Sequence, residues 1–430
     1  MLYDNLLELE QSGEQISVGL VGAGQMGEGL ICQMEMMNGM RAVAVADNAP
    51  GRARSALCEA GVEANQIVET DDLSLAAQAI TENRRIATTS ATLIANLEQL
   101  DIVVEATGVP EVGARVAWES ILHKKHVVQM NVETDATVGF VLRRMAQAAD
   151  VIYTLTAGDE PGAAMELFEF AYSLGFQVIC AGKGKNNPLN TFATPNDVIK
   201  QATAQAMNPK MLASFVDGSK TMVEMTSLGN ALGFVPDVRG MHGPTAVPKT
   251  LDTTFIPKSD GGILSQSGVV DYARGVAPGV FVVFTTEQPK VMRDLRYLRL
   301  GDGPYWALYR PYHLANLETP ISIARAVLKQ ETTIATERPP VVEAIALAKR
   351  DLKAGDAIDG LGGYTIFGSI ERASVAREQD LLPLGLAPGS MLIRDVAQGA
   401  PITYADVMLD PSSTIVHLRR LQDQMIREIE

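Results

Sequence analysis

The sequence predicts an α/β protein built from a parallel-sheet domain over residues 1–155, an α+β domain over 156–313 and a small β-rich domain over 340–410. A helical tail at 411–430 follows. Three observations carry this prediction. Apolar strand-like runs alternate with helical stretches from residue 16 to about 155. From Val151 the texture changes, and strands and helices mix without that regular alternation. Beyond a stretch of Thr and Pro at 332–340, short apolar segments broken by Gly and Pro replace helical periodicity. At ~150 residues per domain, a chain of 430 residues has room for three.

The first domain opens with the strand Ile16–Val21, which runs into Gly22-x-Gly24-x-x-Gly27. A helical stretch and a second apolar run, Ala42–Ala46, follow, and the run ends at Asp47, twenty residues beyond Gly27. Strand, glycine turn, helix, strand and acid in this order describe the first βαβ unit of a Rossmann-type dinucleotide-binding domain. Gly22 permits the tight turn, Gly24 lets the backbone approach a pyrophosphate, and Gly27 lets the helix pack close to the sheet. The helix start at Gln25 and Met26 offers unpaired N–H groups to the pyrophosphate. Asp47 is expected to accept from the adenosine ribose, which favours NAD. Arg52 and Arg54 in the same loop either hold the 2′-phosphate of NADP or are solvated loop charge, so both cofactors stay open.

Further strands are expected at Ile67–Val68, Asp101–Glu105, His126–Asn131 and Val151–Leu155. Thr107, Gly108 and Asn131 end strands and border the cofactor cleft. Thr319 and Pro320 read as the N-cap and first position of a helix to about Lys329. The segment 314–335 that holds this helix is expected to pack back on the first domain.

Composition bounds the function. Apolar residues make up 47% and charged residues 20%, as in soluble globular proteins. No run of about twenty apolar residues is present, so no membrane span is expected. Met1–Glu14 lacks the basic-then-apolar order of a secretory signal. Three scattered cysteines fit a reducing cytoplasm rather than a disulfide framework. A net charge of −15 argues against a nucleic-acid surface.

Chemistry beyond the cofactor is expected at several groups. Lys183, Lys185, Asn186 and Asn187 stand in a basic, glycine-containing loop, either a substrate site holding an oxyanion or phosphate or a connecting loop. Asp159 and Glu160, helped by Glu133 or Asp135, either ligate a magnesium or manganese ion or cap the helix ahead of Ala163. Ser219 and Lys220 form either an anion cradle or an ordinary helix start. Arg310 and His313, in an aromatic group at 305–313, line a pocket or belong to a core and interface.

The glycine fingerprint at 16–27, Val103–Gly108, Glu318–Ser322 and Ala348–Gly355 together resemble the homoserine-dehydrogenase-like oxidoreductases that carry a C-terminal SAF domain. The last of these segments is similar to the opening of SAF domains. Gly158–Gly162 and Gly182–Asn186 place the resemblance nearest the 1-deoxy-D-xylulose 5-phosphate reductoisomerase-like group. The resemblance implies NADPH, a divalent cation, a small phosphorylated sugar substrate and a homodimer. It implies conversion of 1-deoxy-D-xylulose 5-phosphate to 2-C-methyl-D-erythritol 4-phosphate, a step of isoprenoid precursor synthesis. In that reading Lys183, Lys185 and Lys220 act with Asp159 and Glu160 in catalysis, while Asn186, Asn187, Ser219, Arg310 and His313 bind substrate. Two departures stand against it. Val132 and Glu133 follow Asn131 where homoserine dehydrogenases carry a lysine, and Asp47 is unusual beside NADPH. The alternatives are a dehydrogenase of another polyol, sugar acid or homoserine-like alcohol, and a dinucleotide-binding protein without catalysis.

Overall fold

The structure, a computed structural model, describes residues 1–205 and 207–429. The chain divides into two compact units. The first comprises Met1–Asp159, Leu314–Glu337 and Ser413–Glu430, and the second Glu160–His313 and Arg338–Ser412.

In the first unit, seven strands form one sheet: β1 (Ile16–Val21), β2 (Met40–Ala46), β3 (Ile67–Glu69), β4 (Arg85–Thr88), β5 (Ile102–Glu105), β6 (His126–Gln129) and β7 (Tyr153–Leu155). Their order is β3-β4-β2-β1-β5-β6-β7, and every neighbouring pair is parallel. Such a sheet must be covered on both faces, which is why its strands are near-continuous apolar runs. Leu20, Val45 and Val104 pack with Leu30 and Ile31 of the helix Gln25–Glu35 in one core. The strand order reverses beside β1, which opens a crevice at the carboxyl ends of β1 and β5. This is the Rossmann-type α/β sheet expected from the sequence.

Two later segments complete this unit. Leu155 N–H donates to Ile334 O at 2.9 Å, and Thr154 Oγ1 accepts from Thr333 N–H at 2.9 Å. Residues 332–336 are therefore fastened to β7, and Ile334 and Thr336 are buried. The helix before them spans Ala315–Lys329, so Pro320 lies inside it and Thr319 is not its N-cap. The start moves upstream because Glu318 Oε1 accepts from Leu314 N–H at 3.0 Å, while Thr319 Oγ1 turns back to Ala315 O at 2.7 Å. The C-terminal helix begins at Thr414, where Glu111 accepts from Thr414 N–H and Ile415 N–H, both at 2.9 Å. Gln422 on this helix bridges Thr137 O, at 3.1 Å, and Val141 N–H, at 3.2 Å, within the helix Val132–Ala149.

The second unit holds a mixed sheet of β8 (Gln177–Lys185), β9 (Val269–Arg274), β10 (Val280–Thr285) and β11 (Tyr305–Arg310), in the order β11-β10-β8-β9. β8 and β9 are parallel and the other pairs antiparallel. A hairpin of β12 (Val342–Ala348) and β13 (Ile366–Arg372) and a short pair of β14 (Met391–Leu392) and β15 (Val407–Met408) belong to the same unit. The β-rich texture expected after residue 340 is present, yet residues 338–412 are not a separate body. They are joined to 160–313 by polar contacts such as Arg239 Nε to Glu371 Oε2, at 2.6 Å, and Tyr364 OH to Asn196 Oδ1, at 3.0 Å.

Among the described residues, no helix is long and apolar enough to cross a membrane. Cys32, Cys58 and Cys180 are free thiols.

Candidate active site

The glycine loop of the first unit has the shape its spacing predicts. Gly22 has φ 102°, and a Cβ there would stand 2.8 Å from Ala106 O. A Cβ on Gly27 would stand 1.9 Å from Gly22 O, so the turn closes only with glycine at both positions. Gly24 differs: a Cβ there meets nothing within 4 Å. The space in front of Gly24 is thus left clear at the start of the helix Gln25–Glu35, with Gln25 and Met26 exposed beside it. A pyrophosphate fits this arrangement of open backbone and unpaired helix N–H groups.

Asp47 closes the loop from behind. Its Oδ2 accepts from Ala23 N–H and its Oδ1 from Ala49 N–H, each at 2.9 Å. Arg52 Nε donates to Ala23 O at 2.9 Å, so both residues first of all fix the glycine turn. Beside them a cavity of about 230 Å³ is lined by Arg54, Glu69, Asp71, Thr88 and Thr89. Arg54 is paired with Glu69 at 3.2 Å, which leaves this cavity acidic.

At the end of β5, Glu105 is fully buried and accepts from Thr107 N–H and Gln129 Nε2, both at 2.8 Å. Burial pushes its carboxyl up to about 7 against the pull of the Thr107 hydrogen bonds. Glu105 fixes the Thr107–Gly108 loop, a role not assigned from the sequence. Gly108 has φ 67° with open space before it. Asn131 caps the helix Val132–Ala149 by accepting from Thr134 N–H at 3.2 Å.

The second unit gathers most of the remaining candidates. Lys183 and Lys185 are not in a loop; they are the last residues of β8 to share one face, and both are buried. The glycines that read as a loop signal serve the other face. A Cβ on Gly182 would stand 2.1 Å from Asp271 O, and one on Gly184 would stand 2.3 Å from Ala277 N.

Lys183 Nζ donates to Glu160 Oε1 at 2.5 Å and also to Glu224 Oε2. Glu160 is the first residue of the helix Glu160–Ser173, and Glu224 lies within the helix Ser219–Leu232. Burial alone would push the Lys183 ammonium down, but the two carboxylates outweigh it and hold its pKa above the ordinary lysine value. Burial and the neighbouring Glu160 charge raise Glu224 despite the ammonium beside it. Lys185 is shifted the opposite way. Burial and the Lys183 charge push it down to about 8, with Asp217 and Glu224 pulling back. Its Nζ donates to Phe215 O.

The other expected residues divide. His313 Nε2 is 3.4 Å from Glu160 Oε1, which places it beside the lysine cluster. Arg310 pairs with Glu166 at 2.9 Å and lies over the Tyr312 ring at 4.5 Å. Lys220 lies one turn before Glu224 and counteracts the rise of its pKa. Ser219 is fully buried, and its hydroxyl accepts from Gly368 N–H at 2.7 Å, so it is a structural fastening rather than a substrate group. Asn186 is exposed, and Asn187 accepts from Gln201 at 3.4 Å.

Of the expected cation ligands, Asp159 and Glu160 stand with His313, one ligand atom of each lying within 4.8 Å of the others, and Glu133 is not in that group. Glu160 also receives the Lys183 ammonium, which bonds Glu224 as well.

Glu224 was not assigned from the sequence. One signal existed, a single acidic residue flanked by Met222, Val223 and Met225. Its meaning depended on a lysine 41 residues away.

No curated protein matches the sequence. Among solved structures, similar folds include a probable dehydrogenase from Thermotoga maritima, with 12% identity, TM-score 0.44, and 74% of this chain and 90% of that chain covered. A putative myo-inositol dehydrogenase from Sinorhizobium meliloti 1021 gives 14% identity, TM-score 0.40 and the same coverages. An apo scyllo-inositol dehydrogenase from Lactobacillus casei gives 11% identity, TM-score 0.41 and again 74% and 90%. Residues 22–155 match the family model for the homoserine dehydrogenase NAD binding domain. Residues 158–319 match the model for the catalytic domain of oxidoreductase DRL. The chain thus joins a dinucleotide domain to an oxidoreductase catalytic domain, the architecture of an NAD(P)-dependent oxidoreductase.

Proposed function

We propose that this protein interconverts a carbonyl and an alcohol on a small polar metabolite, with NAD(H) or NADP(H) as hydride carrier and Lys183 and Lys185 as the reacting pair. The observation that carries the reading is the unequal environment of two buried lysines on one face of β8. Lys183 has three N–H donors and uses two on Glu160 and Glu224. Its third N–H holds the substrate oxygen, and its charge is fixed by the two carboxylates. Lys185, brought down to about 8, gives a proton to that oxygen during reduction and takes one during oxidation. The bound dinucleotide supplies the hydride. Pairs of titratable groups whose environments drive them apart are how one site separates an electrostatic role from a proton-transfer role.

The substrate class that fits is a polyol, sugar acid or homoserine-like alcohol, whose several hydroxyls suit the donors and acceptors of Glu160, His313 and Lys185. A second reading, reduction after a skeletal rearrangement of 1-deoxy-D-xylulose 5-phosphate, rests on the resemblance of Gly158–Gly162 and Gly182–Asn186 described above.

The test is a panel of polyols, sugar acids, homoserine and 1-deoxy-D-xylulose 5-phosphate, assayed with both dinucleotides in both directions. Oxidation of an alcohol without rearrangement selects the first reading. A rearranged, reduced product from the phosphorylated ketose selects the second. Tight dinucleotide binding without turnover on any member would count against both and leave a binding protein.

A further inference from the structure

The role of residues 338–412 follows from what they touch. Lys349, just after β12, is 2% exposed. Its Nζ donates to Ala193 O at 2.7 Å, Asp217 Oδ2 at 2.8 Å and Gly363 O at 2.9 Å, so all three N–H groups are used. The other oxygen of Asp217 accepts from Ser219 N–H at 2.8 Å, at the start of the helix that carries Glu224. Gly368 N–H, on β13, closes the same corner on Ser219 Oγ.

The far end of that helix is held in the same way. Asn230 Oδ1 accepts from Val341 N–H at 2.9 Å and Val342 N–H at 3.0 Å. Two glycines allow the close approach. A Cβ on Gly229 would stand 2.9 Å from the Val342 side chain, and one on Gly368 would stand 2.5 Å from Leu384 and 3.3 Å from the Ser219 Cα. The hairpin of β12 and β13 therefore grips the helix Ser219–Leu232 at both ends. Phe215 O, which receives Lys185, lies two residues before Asp217.

We propose that residues 338–412 are the scaffold of the lysine pair, with Lys349 as a positioning residue. Lys349 locks the turn at Asp217, and that turn sets both the acceptor for Lys185 and the helix that brings Glu224 to Lys183. The inference deepens the functional reading above, which gives the lysine pair its role. The charged groups acting on Lys185 are Lys183 on the same strand, Asp217 in the turn and Glu224 on the helix. Without Lys349, Asp217 is a buried carboxylate without its hydrogen-bonded cation; burial already raises its pKa. It then takes up a proton, and Lys185 loses one of its two supporting charges.

The experiment reads Lys185 directly and needs no substrate. The full chain is labelled with trace acetic anhydride across a pH series, and acetylation at Lys185 is quantified by mass spectrometry. In the wild type the midpoint is expected near the value of about 8. In Lys349→Met it is expected to fall by about one unit. The double variant Lys349→Met/Asp217→Asn, which removes both charges of the pair, keeps the test intact if the single variant does not fold, and its midpoint is expected to fall similarly. Far-ultraviolet circular dichroism and urea unfolding of the full chain serve as the control for folding. A midpoint equal to that of the wild type in either folded variant would overturn the proposal. Should both fail to fold, Ser219→Ala decides by hydrogen exchange, with faster exchange across Ser219–Leu232 in support and unchanged exchange against. Failure of the functional reading would appear instead as absence of turnover in the wild type.

Discussion

Replacing Lys183 by methionine keeps most of the side chain's length and removes its charge. In the wild type the ammonium stands 2.5 Å from Glu160 and in contact with Glu224, with Lys183 5% and Glu224 2% exposed. Its loss leaves two carboxylates buried beside each other. Removing one partner of a buried pair costs about 3–5 kcal/mol while the remaining charge stays ionised. The cost falls when a carboxylate takes up a proton. Glu224 is already raised by burial and by Glu160, and losing the ammonium raises it further. Such a group is neutral when folded and charged when unfolded over the interval between its two pKa values. Its contribution to stability is therefore complete below the unfolded value of about 4.3 and is lost at about 1.4 kcal/mol per pH unit until the folded value is passed. Urea unfolding of wild type and variant at about pH 5 and about pH 8 checks this. The deficit is expected to be small at the lower pH and about 3–5 kcal/mol at the higher. Adding Glu224→Gln to the variant should recover about half of the deficit or more at the higher pH. Equal deficits at both pH values would refute the reasoning, because they would report lost packing and not an unpaired charge.

Other outcomes follow from the same geometry. Gly24→Ala should unfold within about 1 kcal/mol of the wild type yet bind NADH at least about tenfold more weakly, since its new Cβ meets only the space left for the pyrophosphate; Gly27→Ala should fail on both counts, by urea unfolding and fluorescence titration. Asp47 beside the acidic cavity of Glu69 and Asp71 should make NADH bind about tenfold or more tightly than NADPH, and Asp47→Asn should narrow the gap in the same titration. The rate of carbonyl reduction should fall as pH rises through about 8, because the reacting form of Lys185 is the protonated one, while alcohol oxidation should rise over the same interval. Gln422→Leu should destabilise the first unit by about 1 kcal/mol in urea, because Val141 N–H loses a buried acceptor while Thr137 O keeps Arg419 as a donor.

The parts of this molecule that were legible in the sequence are those whose geometry is encoded locally. Gly27 answers to Gly22 O five residues away and Gly22 to Ala106 at the end of the neighbouring strand, while Gly24 leaves open space, so the spacing alone makes the loop legible. The apolar runs of β1 through β7 likewise reflect burial on both faces. The lysine site was misread as a loop because Gly182 and Gly184 have two meanings. In a strand they admit the backbone of residues 271 and 277, contacts that only the mixed sheet creates. Glu224 and Lys349 were missed because their partners lie 41 and 132 residues away. The pair Thr319-Pro320 carries a helix-start signature, yet Glu318 and Leu314 move the start upstream. The β-rich segment at 338–412 was recognised by its texture. Its fusion with the second unit rests on buried polar contacts of Lys349, Asn230 and Ser219 that no local pattern encodes.

The central claim is that dinucleotide binding and chemistry are separable, with the chemistry at Lys183. Its most direct test is to titrate wild type and Lys183→Met with NADH and to assay both on the first substrate that the panel identifies. NADH affinity is expected to be equal within about twofold, and turnover to be lower by at least about a hundredfold in the variant. Turnover equal to that of the wild type, or loss of NADH binding in a variant that remains folded, would contradict it.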